Sequence, residues 1–196
     1  MKTPKLIFLA LLSVSLISLS SCEDDPEEES SKFIGEYVIT EAALSEPLTL
    51  NTNEIGPFSV PVSTDITQMI QQALLGAIEC TPDNSLIELR EDNSLYLSCN
   101  GTETEIDAGT WEEVSETVIK LNMNSTAIPS SPTGIVLTVS DVTLVDNVLS
   151  GETSVPLPRD MLAGVVAAMS QGLATLDMEN TPVVVPVSFI IKLSKQ

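Results

Sequence analysis

The sequence predicts a mainly β fold with two helices (α+β), in which a curved antiparallel sheet or barrel is covered or capped by apolar helices. Short runs rich in Val, Ile, Leu and Thr recur between turn residues, as expected for strands. Two other segments repeat apolar residues at helical spacing. The chain is 43% hydrophobic but only 4% aromatic, a composition that favours a β-rich domain.

The predicted strands are runs of β-branched or alternating apolar residues. Ile119, Leu121 and Met123, for example, alternate with more polar neighbours. Pro61 and Pro186 fall inside such runs and indicate an edge or a bulge, because Pro cannot donate a ladder hydrogen bond. The predicted strands are 33–40, 57–62, 85–90, 94–99, 109–113, 117–123, 134–139, 141–145, 148–155 and 183–193.

Two helices are predicted from apolar residues that recur every three or four positions. The first covers 66–78, with Ser63 or Thr64 as its N-cap and Asp65 in its first turn. The second covers 160–176, and its surface away from the main apolar stripe consists of Ala and Gly. Almost no charge faces outward, so this helix is buried on both sides or covered by something that the sequence does not show.

A weak internal repeat relates 59–78 to 154–173. Each segment has a strand, then a Pro, an Asp at the same offset and an apolar helix. Either the repeat is a true duplication, which places two equivalent units on one sheet, or it reflects similar helix-capping chemistry.

The N-terminal segment has the features of an export signal. Lys2 and Lys5 precede the apolar stretch 6–19, which Ser20 and Ser21 follow. The stretch is shorter than the roughly 20 residues of a membrane-spanning helix. An export signal is therefore favoured over a permanent membrane helix.

Leu19-Ser20-Ser21-Cys22 resembles the lipobox of bacterial lipoproteins. The resemblance implies cleavage before Cys22 and a diacylglycerol thioether on its sulfur, and hence an outer-membrane protein anchored by lipid. The acidic residues of 23–29 resemble the cell-surface export signal of Bacteroidetes lipoproteins, although a plain solvated spacer is the alternative. The predicted organisation is a signal peptide (1–21), a flexible acidic tether (22–32) and one β-rich domain (33–196).

Charge and composition exclude several functions. The formal net charge of −20 disfavours nucleic acid as a partner. Without His, the chain has no Ser-His or Cys-His pair and no imidazole metal ligand. We therefore predict no metal, no cofactor and no catalytic residue.

Lipidation of Cys22 would leave Cys80 and Cys99 as a pair in an oxidising compartment. We predict a disulfide between them, with two buried thiols as the alternative. Glu103, Glu105 and Asp107 alternate and would share one side of a strand. They could bind Ca²⁺ or act as an acid-base pair, but a solvated strand face is the favoured interpretation.

The order of features in 33–123 resembles the lipocalin-like lipoproteins of Bacteroidetes. The features are an opening Gly35-Glu36-Tyr37 strand, Cys80 before a hairpin, and a Gly109-Thr110-Trp111 strand. The resemblance implies a barrel or a strongly curved sheet whose interior could hold a small apolar ligand, with the two helices capping its ends or covering one face. From residue 132 onward the chain departs from that pattern.

The leading hypothesis is a non-enzymatic module that binds a small apolar or amphipathic ligand at the surface of its membrane. Its predicted pocket-lining residues, each of which could instead be core, are Tyr37, Met69, Trp111, Met161 and Met169. A subunit of an outer-membrane assembly, docking a protein partner on the second helix, is the alternative. An enzyme that uses carboxylates alone ranks third.

Overall fold

The computed structural model describes residues 30–78, 81, 84–128 and 133–196. The predicted signal peptide, Cys22, most of the acidic tether and Cys80 lie outside these ranges. The strands are β1 (Gly35–Leu44), β2 (Leu48–Thr52), β3 (Gly56–Val60), β4 (Ser85–Leu89), β5 (Ser94–Cys99), β6 (Glu105–Ser115), β7 (Val118–Met123), β8 (Ile135–Val145), β9 (Val148–Pro158) and β10 (Val184–Lys195). The helices are α1 (Thr67–Leu75) and α2 (Arg159–Met169).

Eight strands form a closed antiparallel barrel in the order β1-β10-β9-β8-β7-β6-β5-β4, while β2 and β3 form a separate hairpin. The predicted mainly β class with two helices is confirmed. β1 closes the barrel because it pairs with β4 at Tyr37↔Ile87 and with β10 as far as Leu44↔Phe189. Inward and outward residues alternate as the sequence pattern of β7 predicts.

The two ends of the barrel differ in their connections. At the end that we call the turn end, β4–β5, β6–β7 and β8–β9 are joined by tight turns. Asn93, Asp146 and Asn147 have positive φ in these turns, a conformation that Asn and Asp tolerate better than most residues. At the opposite end, the cap end, the long connections 45–84 and 159–183 carry the hairpin and both helices.

Side chains close the turn end. Phe33 is fully buried, and the Tyr37 hydroxyl donates a 2.8 Å hydrogen bond to its carbonyl oxygen. Trp111 is also buried, and its indole N–H donates to the Arg90 carbonyl oxygen at 2.9 Å. Phe33 thus docks where the chain enters the domain, and Trp111 plugs the barrel end.

Helix α1 closes the cap end. It buries Ile70 and Leu74, and the Gln71 side-chain amide donates to the Ile39 carbonyl oxygen at 3.0 Å. The cavity between Leu74, Tyr37 and other barrel side chains measures only about 20 Å³. That volume suffices for about one water molecule. The protein's own side chains therefore fill the barrel interior.

Both helices are shorter than predicted. Asp65 lies before α1 rather than in its first turn, and neither Ser63 nor Thr64 caps the helix. Instead, the backbone N–H of Thr67 donates to Asp65 Oδ1 at 2.9 Å. Helix α2 ends at Met169 because, after its C-cap Ser170, the chain turns through positive φ at Gln171 and Gly172.

Several predicted strands also needed correction. The sequence pattern does not predict β2. It predicts two strands in place of β8, which is one continuous strand that a register shift between Ser140 and Thr143 only bends. Pro186 pairs with Pro156 without a register shift, beyond the end of the β1 pairing, so it occupies an edge rather than a bulge. A Pro suits such a position because no donor is required there.

The two copies of the weak repeat adopt different local structures. Residues 62–66 separate Pro61 from the start of α1. In the second copy, β9 continues through Pro158 directly into α2. The sequence match therefore does not correspond to two equivalent strand-to-helix units.

The closure of the cap end can be tested with a matched pair of Leu substitutions. Leu74→Ala should lower the free energy of unfolding by about 2–5 kcal/mol, because it enlarges a closed apolar cavity. Leu173 is 75% exposed. Leu173→Ala should therefore change stability by less than about 0.5 kcal/mol. Urea unfolding of the Cys22→Ser chain measures both values, and equal effects would contradict the assignment of α1 as a plug.

Candidate ligand-binding groove

The two helices enclose an open groove of about 450 Å³ at the cap end. This volume lies within the range of small-molecule sites. α1 and the residues just before it line one side of the groove with Asp65, Gln68, Met69 and Gln72, among others. The α2 wall consists of Met161, Gly164, Val165, Ala168 and Met169.

The periodicity of α2 explains why one helix serves both the core and the groove. Leu162 and Val166, four residues apart, are buried beneath α2. The residues of the groove wall recur at the same spacing on another side of the helix. No heavy atom lies within 4 Å of a Cβ placed on Gly164. Small side chains on α2 thus leave the groove open.

Three of the five predicted ligand-binding residues meet in this groove, namely Met69, Met161 and Met169. Unbranched Met side chains can adapt to ligands of different shape. Tyr37 lies instead at the small cavity inside the barrel, and burial raises its pKa to about 12. Trp111 lies at the turn end. The structure therefore does not bring Tyr37 and Trp111 to the groove.

One carboxylate provides the electrostatic character of the groove. Among the described residues that line it, Asp65 is the only charged one. Hydrogen bonds from the hydroxyl and then from the backbone N–H of Thr67 lower the pKa of Asp65. Asp65 is therefore ionised at neutral pH. The sequence reading treated it as an ordinary first-turn residue, although an Asp directly before a helical pattern can also act from outside the helix.

The segment that follows α2 is fastened to the β2–β3 hairpin. The backbone N–H and the hydroxyl of Thr175 donate to the two oxygens of the Glu54 carboxylate at 2.7 and 2.8 Å. Asn53 and Asp177 add backbone hydrogen bonds across the same junction. The backbone hydrogen bond from Thr175, and then its hydroxyl hydrogen bond, lower the pKa of Glu54. The junction holds the end of α2 against the hairpin.

The cap end also exposes apolar side chains beyond the groove. Of the eleven exposed large hydrophobic residues in the described ranges, seven lie in the cap or at the start of β10. Their concentration at one end is unlike the scattered exposure of an ordinary surface. These residues are Ile55, Val62, Met169, Leu173, Met178, Val183 and Val184.

The acidic residues singled out in the sequence do not form a metal site. Glu105 accepts a 2.7 Å hydrogen bond from Arg90, which also contacts Glu88 at 2.6 Å and stacks on Tyr96. Asp107 accepts a hydrogen bond from a backbone N–H two residues later, and Glu103 precedes β6. Within the described ranges, no group of three or more His, Cys, Asp or Glu side chains could hold a metal ion.

Cys99 is buried at the end of β5. Its predicted partner, Cys80, lies outside the described residues, so the pairing stays a prediction.

A scan of protein-family models finds no family that matches the chain, and a search of curated proteins finds no match. Within the described ranges, no helix has the length and apolar character needed to cross a membrane. Function is therefore inferred from the geometry of the chain itself.

The Glu54 junction should make stability depend on pH. Because its native pKa is lowered from 4.5, ionised Glu54 stabilises the folded state at neutral pH. This contribution should disappear as the pH falls from 4.5 through the native pKa. Thermal unfolding of Glu54→Gln across this window should therefore show a weaker pH dependence than that of the unsubstituted chain. Glu112→Gln, at an exposed position on β6, is the control, and identical profiles for all three proteins would contradict the role of Glu54.

Proposed function

We propose that this chain is an outer-membrane lipoprotein, facing the cell surface or the periplasm, whose domain is a non-catalytic module that binds a small apolar or amphipathic ligand. The ligand occupies the groove between α1 and α2. The observation that carries the proposal is the contrast between this groove of about 450 Å³ and the barrel cavity of about 20 Å³. Space for a ligand exists at the cap end rather than inside the barrel.

The groove is large enough for useful affinity. A ligand that buries about 250 Å² of apolar surface gains roughly 6 kcal/mol from the hydrophobic effect. The loss of translational and rotational freedom offsets a substantial part of this gain. Dissociation constants near the millimolar range are therefore expected, corresponding to about 4 kcal/mol.

The sequence supports a lipid anchor on Cys22, through the lipobox and the acidic residues that follow it. Phe33 docks at the turn end, so the tether leaves the domain on the side opposite the cap. An anchored domain would therefore present its groove away from the membrane. The resemblance to lipocalin-like lipoproteins of Bacteroidetes is a further reason to propose binding rather than catalysis.

The chemistry of the groove also favours a non-catalytic role. The sequence contains no His. Asp65 is a single carboxylate whose lowered pKa makes it a poor general base near neutral pH. Acid-base catalysis by carboxylates alone commonly needs two groups with separated pKa values. Binding without chemical conversion is therefore the function that the groove supports best.

A protein partner at the cap end is the second candidate function. It is favoured by the exposed apolar residues around the groove, among them Leu173, which is 75% exposed, and Val183, which is 69% exposed. Such a partner would cover the rim as well as the groove. Substitution at the rim would then weaken binding as strongly as substitution within the groove.

Two neighbouring alanines allow a direct test of ligand binding. Ala168 lines the groove, whereas Ala167 is exposed on α2 and does not line it. Ala168→Leu places a larger side chain in the groove and so reduces the space for a ligand. It should weaken binding of the neutral apolar probe N-phenyl-1-naphthylamine about tenfold or more. This loss corresponds to roughly 1.4 kcal/mol. Ala167→Leu makes the same chemical change and should leave binding within about twofold of the parent.

The probe titrations use the mature chain from residue 22 with Cys22→Ser, which lacks the predicted signal peptide and acyl group and needs no detergent. Mass spectrometry of apolar compounds extracted from the same preparation should identify a ligand that Ala168→Leu depletes. Absence of probe binding to the parent protein, or equal binding by both Leu variants, would overturn the proposal.

A further inference from the structure

We propose that the groove prefers amphiphiles with an amine head group over those with a carboxylate head group, and that Asp65 sets this preference. The inference rests on the proposed function and specifies the ligand class of the same groove. The groove combines an apolar wall, which would contact the alkyl chain of the ligand, with a fixed negative charge, which would contact its head group. The expected occupant is a single-chain amphiphile with a protonated amine.

The position of Asp65 is fixed by hydrogen bonds around it. Its Oδ1 atom accepts from the Thr67 backbone N–H at 2.9 Å and from the Thr67 hydroxyl at 2.6 Å. Thr67 in turn accepts from the Ala42 backbone N–H at 2.8 Å, which ties this region to β1. The acceptor is therefore held in place before a ligand arrives. Preorganisation of this kind lowers the entropic cost of binding.

The second oxygen of Asp65 remains available. Both hydrogen bonds that the carboxylate receives from described residues end on Oδ1, and the residue is exposed. An ammonium group at the mouth of the groove can therefore donate to Oδ2 without breaking an existing contact. A carboxylate at the same place would meet a like charge.

The described residues that line the groove lack the usual features that attract an anion. No Lys or Arg belongs to the described residues that line it. The start of α1 carries a partial positive charge, but Asp65 already occupies that position. Arg159, at the start of α2, directs its guanidinium to the Met178 and Thr181 carbonyl oxygens. A fatty carboxylate therefore finds no compensating cation here.

The rest of the groove accepts the chain of the amphiphile. Met69, Met161 and Val165 are half-buried and provide an apolar wall. Gln68 and Gln72 are exposed, and their carboxamides can donate or accept hydrogen bonds. Because carboxamides serve either head group, they do not discriminate between an amine and a carboxylate. Discrimination therefore comes from the charge of Asp65.

The experiment compares decylamine, 1-decanol and decanoate as competitors that displace N-phenyl-1-naphthylamine from the Cys22→Ser chain near neutral pH. Decylamine should compete best and decanoate worst, with about a tenfold difference between them, because the interaction is partly exposed and screened. Asp65→Asn keeps an oxygen that can accept from Thr67 but removes the charge. It should bring the three competitors to within about threefold of one another.

Asp160→Asn is the matched control, since Asp160 is exposed at the start of α2 and does not line the groove. It lowers the net negative charge by the same amount and should leave the order of competitors unchanged. In the unsubstituted groove, added salt should narrow the gap between amine and carboxylate. This salt series tests the proposal even if Asp65→Asn fails to fold.

The outcomes separate the two proposals. If none of the three compounds displaces the probe, the proposed function fails and this inference fails with it. If all three displace it equally, ligand binding stands and the role of Asp65 is wrong. The role of Asp65 is equally overturned if Asp160→Asn has the same effect as Asp65→Asn, because general attraction to an acidic protein would then explain the preference.

Discussion

Closure of the barrel through β1 is the constraint on which the rest of the structure depends. β1 pairs with β4 near its start and with β10 along most of its length, and thereby joins the two ends of the barrel strand order. Closure leaves the barrel without a free edge strand. It also turns the inward side of every strand toward one small interior, which Tyr37, Leu74 and their neighbours fill. A ligand of ordinary size must therefore bind elsewhere.

At the cap end, each helix packs against the core on one side and lines the groove on another. α1 buries Ile70 and Leu74 against the barrel while turning Met69 toward the groove. α2 buries Leu162 and Val166, while the small residues Gly164 and Ala168 line the groove on another side of the helix. Apolar burial on one side anchors each helix, and this leaves the other side open to a ligand. Stability and the proposed binding would thus depend on different residues of the same helices.

Local sequence patterns predicted the elements whose structure is determined by residues close together in the sequence. The alternation of Ile119, Leu121 and Met123 identified β7, and the strands predicted at 85–90 and 94–99 correspond to the paired β4 and β5. The strand β2 was missed because its structure depends on distant partners. It pairs with β3, and Thr52 forms a bridge with Leu176. Spacing along β2 alone contains little of that information.

The groove could be predicted only in part, for a similar reason. Helical spacing marked Met69, Met161 and Met169 as members of apolar helices, but it could not show that α1 and α2 face each other. Their arrangement depends on barrel closure and on the Glu54 junction, both of which join residues far apart in sequence. Tyr37 and Trp111 were predicted to line a pocket, with a place in the core as the alternative. Their large size makes them effective core plugs in a narrow barrel, and the structure places both in the core.

The chain entry and the groove lie at opposite ends of the barrel, and this arrangement relates the groove to the proposed lipid anchor. The chain enters at the turn end, and the groove lies at the cap end. A strand of 10 residues, such as β1, spans about 25 Å along the axis of a tilted barrel. With Cys22 in the membrane, the flexible acidic tether would join the lipid to the turn end, with the groove about this length away from the point of attachment. A ligand could then reach the groove from the aqueous side or from a facing protein without passing the anchor.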